Sequence, residues 1–165
     1  GRFELRGCDP EKPQQVFFLD AKNQWGAAVT IDPKRADAQR LAVRLQPCGS
    51  ATVRFVDEKG RPYANQKIDD RPYMFMELVV IPGSSRKISR AEEEAFEGLI
   101  MSNVDRDRYR DLKTDAEGRL TFPTLIPDAP YSIVTGEKMW EGKGEFRVRS
   151  GQNRDLPDIV MAKRE

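Results

Sequence analysis

The chain has 165 residues, 28 of them basic and 27 acidic, for a formal net charge of +1; 38% of residues are hydrophobic, 33% are charged, and histidine is absent. That length fits one domain with a core of its own. The interleaved, nearly balanced charge excludes the basic field with which nucleic-acid binders neutralise phosphates. The lack of histidine removes the commonest general base, the commonest metal ligand and every Ser-His or Cys-His nucleophile arrangement.

No apolar run approaches the length of a membrane span and no signal peptide is recognisable, so no membrane insertion by this fragment is expected. The chain opens at Gly1 rather than a methionine. It therefore reads as a fragment or a processed form, and the missing targeting segment says nothing about location.

In chain order, residues 2–6 alternate polar and apolar and end at Gly7, a short strand signature. Residues 15–20 and 25–32 carry Val16, Phe17, Phe18, Leu19 and Ala27, Val29, Ile31, with residues 20–23 as a hairpin connection. Leu41, Val43 and Leu45 alternate with Ala42, Arg44 and Gln46, which predicts a period-two strand. Cys8 and Cys48 are the only cysteines. They admit two readings: a bridge closing a loop of about 41 residues, contributing roughly 4 kcal/mol through the unfolded state, or two unrelated thiols. Two thiols without histidine do not make an ordinary zinc site.

Residues 51–57 predict a strand with Val53 and Phe55 on one face and Arg54 on the other. Asp57-Glu58-Lys59-Gly60 then reads as a tight turn, since Asp bonds its own backbone two residues on and Gly takes a positive φ. Residues 61–70 continue as an extended polar segment. Residues 74–81 form the most hydrophobic strand, and Ser89-Arg90-Ala91-Glu92 is a capping box opening one short helix with Ala95, Phe96 and Leu99 on its apolar stripe.

The densest charge run spans residues 103–112. Asp105, Asp107 and Asp111 offer three carboxylates at calcium-loop spacing. Against calcium, the sixth position is Arg110 rather than Gly, the twelfth is Ala116 rather than Glu, and three arginines are interleaved. A solvated, self-neutralising surface loop is the plainer reading.

Asp115-Ala116-Glu117-Gly118 repeats the turn chemistry of residues 57–60 and feeds a strand in which Leu120 and Phe122 alternate with Arg119 and Thr121. Pro123 would remove a ladder donor, so this strand is expected to end there or to lie at an edge. Leu125 and Ile126 turn inward, and Pro127 to Pro130 return the chain into a strand with Tyr131, Ile133 and Val134. Residues 144–149 resemble residues 1–6, and each is followed by a polar link and another apolar strand. This echo has two readings: chance, or a tandem array in which residues 1–46 are N-terminal strands forming the tail of a preceding repeat and residues 47–165 the body of the next.

Together, Ser50-Ala51-Thr52-Val53-Arg54-Phe55-Val56-Asp57-Glu58-Lys59-Gly60-Arg61-Pro62, the second Asp-led turn and its strand, Leu125-Ile126-Pro127 and Tyr131-Ser132-Ile133 resemble the carboxypeptidase regulatory-like domains. These are transthyretin-like modules of bacterial envelope and secreted proteins. The likeness covers residues 48–162 and departs at Tyr63-Ala64-Asn65 and in the insertion over residues 82–112. It implies an all-β, antiparallel Greek-key β-sandwich, to which the capping-box pattern adds one short helix in the insertion. The same likeness implies a non-catalytic structural or protein-interaction module in a larger extracytoplasmic protein, with other domains of the same chain or a separate protein as partners. No functional residue is carried over, because the matching positions are turns and core.

Catalysis is not expected, no cofactor is implied, and no pair of carboxylates sits in an apolar setting that would shift a pKa. The alternative role is carbohydrate binding. Trp25, Tyr63, Tyr73, Tyr109 and Trp140 are the rings that could stack on a sugar face, and Trp140 lies in a polar hairpin. The structural reading of Trp140 is a plug at the end of the sandwich.

Overall fold

A computed structural model describes residues 2–4, 11–35, 41–66, 77–80, 112–134 and 145–161. Among these residues the chain is all-β, with ten strands and no helix. The strands are β1 (Gln14–Asp20), β2 (Trp25–Ile31), β3 (Gln46–Pro47), β4 (Gly49–Val56), β5 (Glu77–Val80), β6 (Arg119–Leu125), β7 (Tyr131–Val134), β8 (Glu145–Phe146), β9 (Asn153–Asp155) and β10 (Ile159–Val160). They form antiparallel and mixed sheets.

The central strand is β4. Its alternation of small or apolar with polar residues buries Ala51, Val53 and Phe55 on one face and leaves Thr52 and Arg54 half-exposed on the other. β6 pairs antiparallel along one edge, with Val53 opposite Leu120 and Ala51 opposite Phe122. Along the other edge β9 and β10 run parallel to β4 end to end, Ser50 facing Asn153 and Phe55 facing Ile159. A second sheet has the order β5-β7-β8, all antiparallel, and a third the order β1-β2-β3.

One hydrophobic cluster draws on the first two sheets. Val53, Phe55, Leu120 and Phe122 come from β4 and β6, Tyr131, Ile133 and Phe146 from β7 and β8, and Leu125, Ile126, Val148 and Met161 fill the spaces beside them. Phe55, Leu125 and Val53 are at most 1% exposed. Each such side chain contributes roughly 1.5–3 kcal/mol through removal from water. Phe17 of β1 and Ala28 of β2 pack against the same cluster, and a Cβ at Gly26 would sit 3.1 Å from Ile126 Cγ1. The first hairpin therefore lies against this core.

Both Asp-led turns form as their sequences dictate. Asp57 Oδ1 accepts the amides of Lys59 and Arg61 at 2.9 Å each, and Asp115 Oδ1 accepts those of Glu117 at 3.0 Å and Arg119 at 2.7 Å. Gly60 and Gly118 take φ values of 75° and 76°. The two turns lie side by side at one end of the β4–β6 ladder, where the Phe55 amide donates to Gly118 O at 2.8 Å and the Tyr63 amide to Phe55 O at 3.0 Å.

β6 runs through Pro123 rather than stopping, because among the described residues it pairs only with β4 and Pro123 falls where the register shifts between Gly49 and Ala51. Thr124, at φ 59°, completes that bulge.

Several sequence expectations are corrected. Residues 41–45 keep the expected alternation of half-buried and exposed side chains but are not a strand; ladder pairing begins only at Gln46, opposite Gly26. Residues 2–4 lie outside the strands, with Phe3 holding its place through its ring, 4.7 Å from that of Phe18. Residues 61–66 are not freely extended: Pro62 bridges back to Val56, and Asn65 turns the chain at φ 55°. The helix expected near residues 89–99 lies outside the described residues.

Candidate functional site

Of the rings and carboxylates singled out in the sequence, Tyr73, Tyr109, Trp140, Asp105, Asp107 and Asp111 lie outside the described residues, as does Cys8. Cys48 is half-buried, its amide donating to Gln24 O at 2.8 Å and its Sγ 3.3 Å from where a Cβ on Gly26 would stand. Tyr63 is half-buried against the core. Trp25 remains as an accessible ring, 44% exposed at the start of β2.

The surroundings of Trp25 follow from the hairpin. Residues 21–24 turn the chain, with Gln24 at φ 57°. Asn23 donates its side-chain Nδ2 to Asp20 Oδ2 at 2.8 Å and its backbone amide to Asp20 Oδ1 at 3.1 Å. These two bonds, the side-chain one foremost, hold the Asp20 carboxyl below the ordinary carboxylate value. Trp25 is directly opposite Asp20 on one side and Pro47 on the other. Cross-strand partners share a face, so Asp20, Trp25 and Pro47 form a row across three strands: a carboxylate, an indole and a pyrrolidine ring.

A different polar centre lies outside the residues that the sequence singles out. Thr114 is 1% exposed and, among the described residues, is the sole buried polar or charged side chain apart from Tyr131, whose hydroxyl accepts the Ile126 amide at 2.7 Å. Its hydroxyl donates to Tyr63 O at 2.5 Å and accepts the Gln66 amide at 2.9 Å, while its own amide donates to Gln66 O at 3.0 Å. Thr114 thus ties residues 63–66 to the start of the second Asp-led turn, whose Asp115 O also accepts the Asn65 amide at 3.1 Å. The signal available in sequence was a hydroxyl residue just before a tight turn; nothing local marks it as buried.

Among the described residues no group of three or more Cys, Asp or Glu side chains is placed to hold a metal ion, and every buried side-chain nitrogen or oxygen has a hydrogen-bond partner. Among them too, no helix is long and apolar enough to cross a membrane. Charged side chains engage one another at the surface, as in Arg54 Nη1 to Asp158 Oδ2 at 3.1 Å and Arg147 Nη2 to Glu145 Oε1 at 3.0 Å. No protein-family model, curated protein or solved structure matches the chain.

Proposed function

We propose that the chain is a transthyretin-like β-sandwich of the carboxypeptidase regulatory-like kind, serving as a non-catalytic structural or protein-interaction module of a larger extracytoplasmic protein. Its two layers are the sheet centred on β4 and the β5-β7-β8 sheet. The observation that carries the reading is the single apolar cluster to which both layers contribute, Phe55 and Phe122 from one and Tyr131, Ile133 and Phe146 from the other. Interior positions filled by close-packed apolar side chains maintain a shape. The paired turns at residues 57–61 and 115–119 support the family likeness, because both motifs that suggested it adopt the same hydrogen-bonded geometry.

Carbohydrate binding is the second reading, favoured by the exposed Trp25 between Asp20 and Pro47. An indole face stacks on the apolar face of a pyranose while a neighbouring carboxylate accepts from its hydroxyls. Thermal unfolding of the chain against a panel of soluble oligosaccharides separates the two. A structural module keeps one melting temperature throughout; a saturable rise lost in Trp25→Ala or Trp140→Ala would replace the first reading with the second.

A further inference from the structure

A free sheet edge offers a row of unsatisfied backbone donors and acceptors, and folded proteins blunt such edges with brevity, proline, bulges or charge. Among the described residues most sheet edges carry one of these devices. β6 has Pro123 and the Thr124 bulge. β9 and β10 are short pieces interrupted at residues 156–158, where Pro157 and Asp158 intervene; β3 and β8 are two residues each, and β5 has four.

Of these devices β1 carries only a single charge, Asp20, at its last position. Its seven residues, Gln-Gln-Val-Phe-Phe-Leu-Asp, pair with β2 without a break in register, contain no proline or lysine, and among the described residues have no strand on their outer side. Leu19 is 45% exposed.

We infer that the outer edge of β1 docks a second copy of this chain, the two β1 strands running antiparallel about a two-fold axis at Phe17. The sequence of the strand selects this occupant. With Phe17 opposite itself, Val16 meets Phe18 of the second copy, Gln15 meets Leu19 and Gln14 meets Asp20. The apolar centre is self-complementary, the exposed Leu19 is covered by the Gln15 side chain, and the strand's single charge, Asp20, faces an amide donor. A parallel, in-register pairing would instead set Asp20 against Asp20, which cross-strand electrostatics disfavours. The two-fold arrangement closes on itself, joining two three-stranded sheets into one and leaving no further β1 edge exposed.

The test is sedimentation velocity of the 165-residue chain over a concentration series, with amide exchange of residues 14–20 followed in parallel. The expected result is a reversible monomer–dimer equilibrium in which β1 amides slow as the dimer fills. Gln14→Glu sets a second carboxylate opposite Asp20 at two symmetry-related points and weakens association by about twofold to twentyfold. Gln14→Lys leaves association unchanged or tightens it. A chain that stays monomeric overturns the inference, whether its β1 amides exchange fast or are protected by the chain's own residues. Equal effects of the two Gln14 variants on association overturn it as well.

Discussion

The turns at residues 57–61 and 115–119 share a sequence pattern, a set of backbone hydrogen bonds and a glycine conformation, yet they occupy opposite environments. Around Gly60 there is open space: a Cβ added there meets nothing within 4 Å. At Gly118 the same atom would lie 2.6 Å from Phe55 O, 3.0 Å from Pro62 Cβ and 3.1 Å from Tyr63 N. The second turn is also buttressed, by Arg54 Nε donating to Glu117 O at 3.1 Å and by the Asn65 amide on Asp115 O. The first turn has instead an exposed ion pair of its own, Arg61 Nη2 to Asp57 Oδ2 at 2.7 Å. Identical local chemistry therefore serves two purposes: one turn reverses the chain in water, while the other is a packed joint between β4, β6 and residues 62–66.

That difference is sharpest under substitution. Gly118→Ala adds a backbone overlap to the cost of a positive φ and is expected to destabilise the fold by about 3 kcal/mol or more. Gly60→Ala carries the conformational cost alone, about 1 kcal/mol. Equilibrium urea unfolding of the two variants measures both, and equal losses would mean that the second turn is no better packed than the first.

A smaller effect is a pH dependence carried by the first turn. The Arg61 amide, the Arg61 side chain and the Lys59 amide, in that order of effect, hold the Asp57 carboxyl below its ordinary value of 3.8. A carboxyl whose folded pKa is depressed contributes stability that is complete above the unfolded value and is lost as pH falls through the folded one. Stability should therefore decline on acidification below about pH 4, and Asp57→Asn should shallow that decline. Acid titrations of unfolding free energy, wild type against variant, provide the comparison. Superimposable acid limbs would show that the Asp57 bonds form equally in the unfolded chain.

How much of this was legible in sequence depends on whether the physical signal was local. The Asp-x-x-Gly turns were readable because each is complete within five residues, as was the strand containing Leu120 and Phe122, whose inward face is apolar. β9 has the sequence of a polar link, since Asn153, Arg154 and Asp155 all stay in solvent and only backbone pairing to β4 makes them a strand. Residues 41–45 show the reverse. Their alternation reports burial of Leu41, Val43 and Leu45 faithfully, but a period of two specifies which side faces in, not whether a ladder partner is present. The Thr114 latch was invisible for a related reason: its partners Tyr63 and Gln66 are about fifty positions away in the chain. Trp25 was recognisable as a candidate ring, whereas its exposure and its row with Asp20 and Pro47 depend on the register of β1, β2 and β3.

The central claim is that the β4 sheet and the β7 sheet face each other across one core. Nuclear Overhauser contacts from the Val53 methyls and the Phe55 and Phe122 rings test it most directly. The account predicts cross-peaks from these groups to side chains of Tyr131, Ile133 and Phe146. Cross-peaks confined within each sheet, with none between them, would contradict it.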